Sequence, residues 1–210
     1  MGRDKGKPEV PSGERRPRGR PNDSSIDEAL LEAAYDEFVK KGYHTMSMEA
    51  IAARAGVSKV SLYRRWNSKA EIAADVFKVM NGQDQPIEAE TLEAYVQKLM
   101  HTSIHGSGAR EYGRLVMRTI GEIVENPELL TAYRGQLLMP GLEQLRQVID
   151  RARQRGEIAQ DLSTDAVCAV IAGPLFLYYL VLLAKADIKL DGDAAEQISR
   201  LIMDGINPSR

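Results

Sequence analysis

A single cysteine, Cys168, excludes an intramolecular disulfide and suits a reducing cytoplasm. Behind the basic N-terminus there is no apolar run, so no secretory signal is expected. The chain has no Gly-rich phosphate loop, no serine elbow and no paired-carboxylate arrangement, so neither a cofactor nor an enzymatic reaction is expected. Alternating strand patterns and hairpin turns are absent too, which leaves an all-α fold. One local absence matters more: from Val57 to Lys69 there is no acidic residue.

Around that acid-free stretch the residues imply two short helices and a tight turn. Met48, Ile51, Ala52 and Ala55 recur at three- and four-residue spacing and share one apolar face. Gly56 can leave the helix in a left-handed conformation, and Ser58 is an N-cap for the next helix. That helix reads KVSLYRRW, with Leu62 and Trp66 inward and Lys59, Arg64 and Arg65 outside. A helix-turn-helix whose second helix is short and basic is built to enter a DNA major groove.

The formal net charge of −2 hides an asymmetry. Residues 1–80 carry 15 Lys and Arg against 12 Asp and Glu, and the remainder carries 13 against 18. A basic N-terminal third on an acidic body suits a protein that presents one end to a polyanion. Residues 1–22 are rich in Gly, Pro and Arg, cannot form a core, and are expected to be a disordered basic arm. Within that arm Arg18 and Arg20 are candidates for phosphate or minor-groove contacts.

Helix one is expected to start at Ser25, with Glu28 completing a capping box, and to stop at Gly42. Ser68 and Glu71 form a second capping box, opening a helix that runs into the polar Gly/Pro stretch Asn81–Pro86. Residues 23–81 are therefore read as the helix-turn-helix domain with its linker helix, and 87–206 as a second, helical domain. In the latter, helices are expected at about 88–104, 109–124, 126–156 (interrupted at Pro140), 163–186 and 193–205.

From Ala166 to Ala184 nineteen residues pass without a charge, just enough to span a bilayer. Gly173-Pro174 lies mid-way, Tyr178-Tyr179 is not at an interface, and no cationic cluster flanks the run, so burial by protein is the better reading and no membrane is expected. His101 and His105 stand four apart on one helix face, the spacing of a metal pair, but no Cys or correctly spaced acid accompanies them. A helical metal sensor or enzyme using these histidines remains an alternative. So does a protein-interaction dimer whose basic end reads no DNA.

The string GYHTMSMEAIAARAGVSKVSLYRRWNSKAEI, Gly42 to Ile72, resembles the N-terminal domain of the TetR family of transcriptional regulators. The resemblance implies a three-helix DNA-binding domain followed by a helical bundle for ligand binding and dimerisation. It further implies a cytoplasmic homodimer, formed through the last two helices, that represses at a palindromic operator until a small apolar or amphipathic effector releases it. Carried over by position, Ser58, Lys59 and Val60 would touch base edges and nearby phosphates, and Tyr63 and Lys69 phosphates. Arg64 and Arg65 replace the family's aromatic or His, and one of them is expected to read a guanine while the other takes a phosphate. Met46 replaces a common Thr, so Thr45 or Ser47 would supply that contact. Val60 replaces a common Gly, adding bulk that meets a thymine methyl or holds the helix further out. Met100, Met117, Tyr133, Met139 and Phe176 are the candidate pocket lining by type and position, with ordinary core as the alternative for each.

Overall fold

The computed structural model describes residues 23–83, 87–184 and 192–207. Among them are α1 (Asp23–Lys41), α2 (Met48–Arg54), α3 (Lys59–Tyr63), α4 (Lys69–Gln83), α5 (Leu92–His105), α6 (Ala109–Glu122), α7 (Pro127–Tyr133), α8 (Met139–Gln154), α9 (Thr164–Ala184) and α10 (Gly192–Ile206), and no strand. The fold is all-α, with an N-terminal helix-turn-helix unit and a C-terminal helical body. The expected basic arm, Arg18 and Arg20 included, lies outside the described residues.

Local chemistry explains most helix ends. Gly42 closes α1 at φ 82°, its N–H donating to the Phe38 carbonyl at 2.8 Å, a backbone conformation in which a side chain would be strained. Ser47 and Ser58 cap α2 and α3 by accepting from the N–H groups of Ala50 and Ser61, each at 3.2 Å. Three boundaries differ from the sequence reading. Helix α1 opens at Asp23, so Ser25 lies within it and does not cap it. Helix α5 starts at Leu92, where Thr91 caps Ala94 and Glu157 accepts from the Leu92 N–H at 2.6 Å. Helix α3 stops at Tyr63, three residues before Trp66.

The Pro140 interruption takes the form of a π turn over Arg134–Leu138, between α7 and α8. Pro140 has no N–H to give and its ring crowds the preceding turn; the widened turn answers both, with the Met139 N–H reaching back to the Arg134 carbonyl.

Two apolar cores hold the fold. One joins Leu30, Ala34 and Phe38 of α1 to Ile51 and Leu62, then to Ile72, Val76 and Phe77 of α4, and continues into Leu115, Leu129 and Tyr133. Phe77 bridges it, 5.7 Å from the Phe38 ring and 5.6 Å edge-on from Tyr133. Helix α4 is thus packed on α1 and on α7 at once, so it cannot shift against one without disturbing the other. The second core gathers Leu92, Val96 and Met100 of α5, Ile149, Ile158, Val167, Cys168, Ile171 and Ile202. There burial pushes the Cys168 thiol up, away from the reactive thiolate.

Candidate DNA-reading end and effector cavity

Because Leu62 and Trp66 are buried, the opposite side of α3 must face out. Val60 is 80% exposed, Tyr63 is exposed, and Lys59 and Arg64 stand on the same outer surface. Thr45 is exposed in the turn before α2, whereas the Ser47 and Ser58 hydroxyls already serve as caps. Lys59 lies 3.4 Å from Glu49, whose carboxyl is held below its usual range by a helix N–H and then by Lys59. Any phosphate taken by Lys59 competes with that pair.

The two arginines part company. Arg65 is turned inward: its Nε pairs with Asp27 of α1 and its Nη1 donates to the Ser61 carbonyl at 3.0 Å. Its side chain is only 12% exposed, so the guanidinium braces α1 against the turn after α3 and does not point into a groove. The expected division, one arginine on a base and the other on a phosphate, is not what the geometry offers; Arg64 is the exposed one. Arg65 lies just past the end of α3, on the side that faces Asp27 of α1.

Lys69 is also engaged internally. Its Nζ donates to the carbonyls of Tyr43 and His44 at 2.9 and 3.3 Å and sits 4.4 Å from the Tyr43 ring centre. From the other side Glu122, the last residue of α6, accepts from the N–H groups of the same two residues, at 3.2 and 2.6 Å. A Cβ at Gly42 would overlap the Glu122 carboxylate. Burial, with Glu128 and Glu122 nearby, pushes the Tyr43 hydroxyl up to about 12. Sequence reasoning missed Glu122 altogether, since nothing local marks a residue 79 positions from its partner.

The candidate pocket residues are not brought together. Met100 and Met117 are buried, Tyr133 packs on Phe77, and Met139 and Phe176 are exposed. None lines the cavity of about 330 Å³ that opens between α1, α4, α5, α6 and α9. Its walls are Tyr35, Met80, Leu99, Thr102, Ser103, Ala109, Tyr112, Leu175, Tyr179 and the turn 106–108. A second space of about 490 Å³, between α1 and α4, shares Tyr35 and Met80 with it. His101 and His105 are exposed, their rings 5.1 Å apart; no group of three metal-ligating side chains occurs among the described residues.

Comparison with known proteins agrees with this architecture. Residues 30–76 match the family profile "Bacterial regulatory proteins, tetR family", and residues 86–201 match "Tetracyclin repressor-like, C-terminal domain". The HTH-type transcriptional regulator YdeS of Bacillus subtilis is 28% identical over 165 residues, 78% of this chain and 83% of that protein. Two solved structures share the fold. A TetR-family transcriptional regulator from Mesorhizobium loti superimposes with TM-score 0.70 at 20% identity, over 89% of this chain and 96% of its own. The regulator FadR of Bacillus subtilis, solved with stearoyl-CoA, gives 0.64 at 19% identity, over 86% and 99%. With both of its halves matched, the chain belongs to the TetR family of DNA-binding transcriptional regulators.

Proposed function

We propose that this regulator is a homodimeric repressor, working in the cytoplasm and released from a palindromic operator by a small amphipathic effector. The observation that carries the reading is the cavity walled jointly by α1 and α4 of the DNA-binding unit and by α5, α6 and α9 of the body. Met80 lines it, and Lys69, eleven residues earlier on α4, holds the turn before α2; that is about 16 Å along one helix. An occupant that displaces Met80 therefore acts on the helix whose other end sets the reading head. For release, the effector must bind the DNA-incompetent arrangement more tightly than the competent one. FadR, with its stearoyl-CoA, is an example within the same fold of a body that takes an amphipathic ligand.

Dimerisation is proposed through α9 and α10. Val170, Leu177 and Leu180 recur at seven- and three-residue spacing on α9, with Phe176 beside them, and are about half exposed; Leu201 of α10 is 71% exposed. By length and composition α9 could cross a membrane. Its other face, Val167, Cys168, Ile171 and Tyr179, is buried, which favours a helix half in the core and half against a second copy. Two copies would set their α3 helices roughly 34–36 Å apart, one turn of DNA.

On this reading, Ser58, Lys59, Val60, Tyr63 and Arg64 form the reading head, with Thr45 and Ser47 near the backbone. Arg65 and Lys69 position it from behind, and Lys69 also stands where a phosphate can take a remaining N–H. Selection of binding sites from random duplex DNA by the full-length protein tests this: a palindrome should be enriched, and Arg64→Ala should relax one base position in each half-site. Failure to enrich any sequence at low salt removes the reading. A reporter driven from the selected site should rise when the protein is deleted; a fall would make it an activator.

A further inference from the structure

The cavity has a chemical bias. Three of its walls are tyrosines from three different helices, Tyr35 of α1, Tyr112 of α6 and Tyr179 of α9. The Tyr112 and Tyr179 rings stand 6.0 Å apart at 52°, forming an angled aromatic corner. Tyr179 is fixed there because Gly113 lets its ring lie directly on the α6 backbone, where any Cβ would overlap it. Among the described residues, no Lys, Arg or His lines either this cavity or the adjoining space.

The adjoining space adds charge of one sign. Its walls are Leu31, Val76, Val79 and Met80, with Glu28 and Glu32. Glu28, Glu32 and Tyr35 follow one another at four and three residues, so the two carboxylates share the face of α1 that leads to the shared Tyr35. Burial raises the Tyr35 hydroxyl, and two further carboxylates, Glu111 and Asp36, raise it more.

An anion entering here would meet carboxylates with no cation among the described lining residues to answer it. A neutral ligand would gain at most hydrogen bonds from Glu28 and Glu32. An organic cation on an apolar body uses both features: the tyrosine faces attract the positive head, and the carboxylates at the rim steer and hold it. We infer that the effector of this protein is an amphipathic organic cation, a tertiary or quaternary ammonium, whose head lies at Tyr35 between the Tyr112–Tyr179 corner and the Glu28–Glu32 face. The inference rests on the cavity being the effector site and adds the chemical class of what fills it.

Three probes of one shape separate the possibilities: 4-phenylbutyltrimethylammonium, its neutral isostere with carbon in place of the ammonium nitrogen, and 5-phenylpentanoate. Each is titrated calorimetrically into the full-length protein and scored for release of the selected operator duplex. The cation should bind at least about tenfold tighter than either of the others. The double variant Glu28→Gln/Glu32→Gln should lose most of that advantage. Ser107→Trp, from an exposed position in the 106–108 turn, should fill the cavity and abolish binding, with its melting temperature as the check that it folds; Thr102→Trp serves if that variant does not fold. Equal binding of the neutral isostere, or tighter binding of the carboxylate, abolished by Ser107→Trp, overturns the cation and leaves the cavity standing as effector site. Cation binding that survives both Trp variants removes the cavity itself. No binding of any probe to about 5 mM also overturns the inference.

Discussion

Glu122, at the end of α6, accepts the backbone N–H of His44 at 2.6 Å, while Lys69, at the start of α4, donates to the carbonyl of that same residue at 3.3 Å. The turn between α1 and α2 is therefore gripped on its N–H side by the ligand-binding body and on its carbonyl side by the linker helix. Three residues further on, Ser47 caps α2. In the proposed release, a shift of α4 or α6 would act on α2 through this turn as well as through the core that α4 shares with α1, α2 and α3.

Glu122→Ala should weaken operator binding about tenfold, since two bonds from backbone N–H groups to a carboxylate are lost, each contributing about 1.5–3 kcal/mol at most. Glu122 touches no DNA in the proposed mode, so the slope of log affinity against log salt should not change. Lys69→Met should lower that slope by about one if Lys69 also meets a phosphate, and leave it unaltered if its role is confined to the turn. Gly42→Ala should be worse than Glu122→Ala in thermal unfolding, because it combines a positive φ with overlap on the carboxylate. Fluorescence anisotropy at several salt concentrations and a melting curve decide all three.

The two neighbouring arginines should give opposite phenotypes. Arg65→Ala breaks the tie to Asp27 and should lower Tm by several degrees, an effect Asp27→Asn should reproduce and the double variant should not double. Arg64→Ala should cost less in Tm than Arg65→Ala and act chiefly on operator affinity. A large Tm loss in Arg64→Ala with a silent Arg65→Ala would reverse the assignment.

These residues show where sequence stops being informative. Gly42, Gly56 and Ser58 each act within four residues, so turn and cap chemistry identified them directly; Ser47, read only as a candidate phosphate contact, caps α2 as well. The run through α9 was readable as a helix meant to be covered by protein because its length and lack of charge are local properties. Arg65 was misplaced because its partner Asp27 lies 38 positions away, and Glu122 was missed because its partners lie 78 and 79 away. The cavity was beyond reach for the same reason: Tyr35, Tyr112 and Tyr179 come from α1, α6 and α9, and only the packed fold makes them neighbours. Residue type alone pointed to Met100 and Tyr133, which the cores absorb.

Acid should loosen the helix-turn-helix unit in a defined way. Asp36 is held below its ordinary value of 3.8, first by Lys40 and then by Arg54 of α2. Glu49 is likewise lowered, by a helix N–H and then by Lys59 of α3. A lowered folded-state pKa stabilises above the ordinary value and loses that contribution as pH falls through the lowered one. Asp36→Asn should therefore reduce Tm at pH 7, and that loss should shrink as pH is taken progressively below 3.8. Melting curves across that range check the sign; an equal loss at both ends would mean that the carboxylate's charge is not what matters.

The proposed dimer face gives the last prediction. Leu177 and Leu201 are 53% and 71% exposed on α9 and α10, and burying what remains of each against a second copy would contribute about 1–2 kcal/mol. Replacing them with Glu removes that gain and places two carboxylates, four in the dimer, where water is to be excluded, at a further cost of several kcal/mol. Leu177→Glu/Leu201→Glu should sediment as a folded monomer, because both side chains point away from the two cores. Operator affinity should then fall by about a hundredfold or more, since each half-site must be bound by a separate molecule. The isolated half-site should be bound as well by the variant as by one subunit of the parent. A double variant that still sediments as a dimer would place the interface elsewhere, and the exposed stripe on α9 would need another partner.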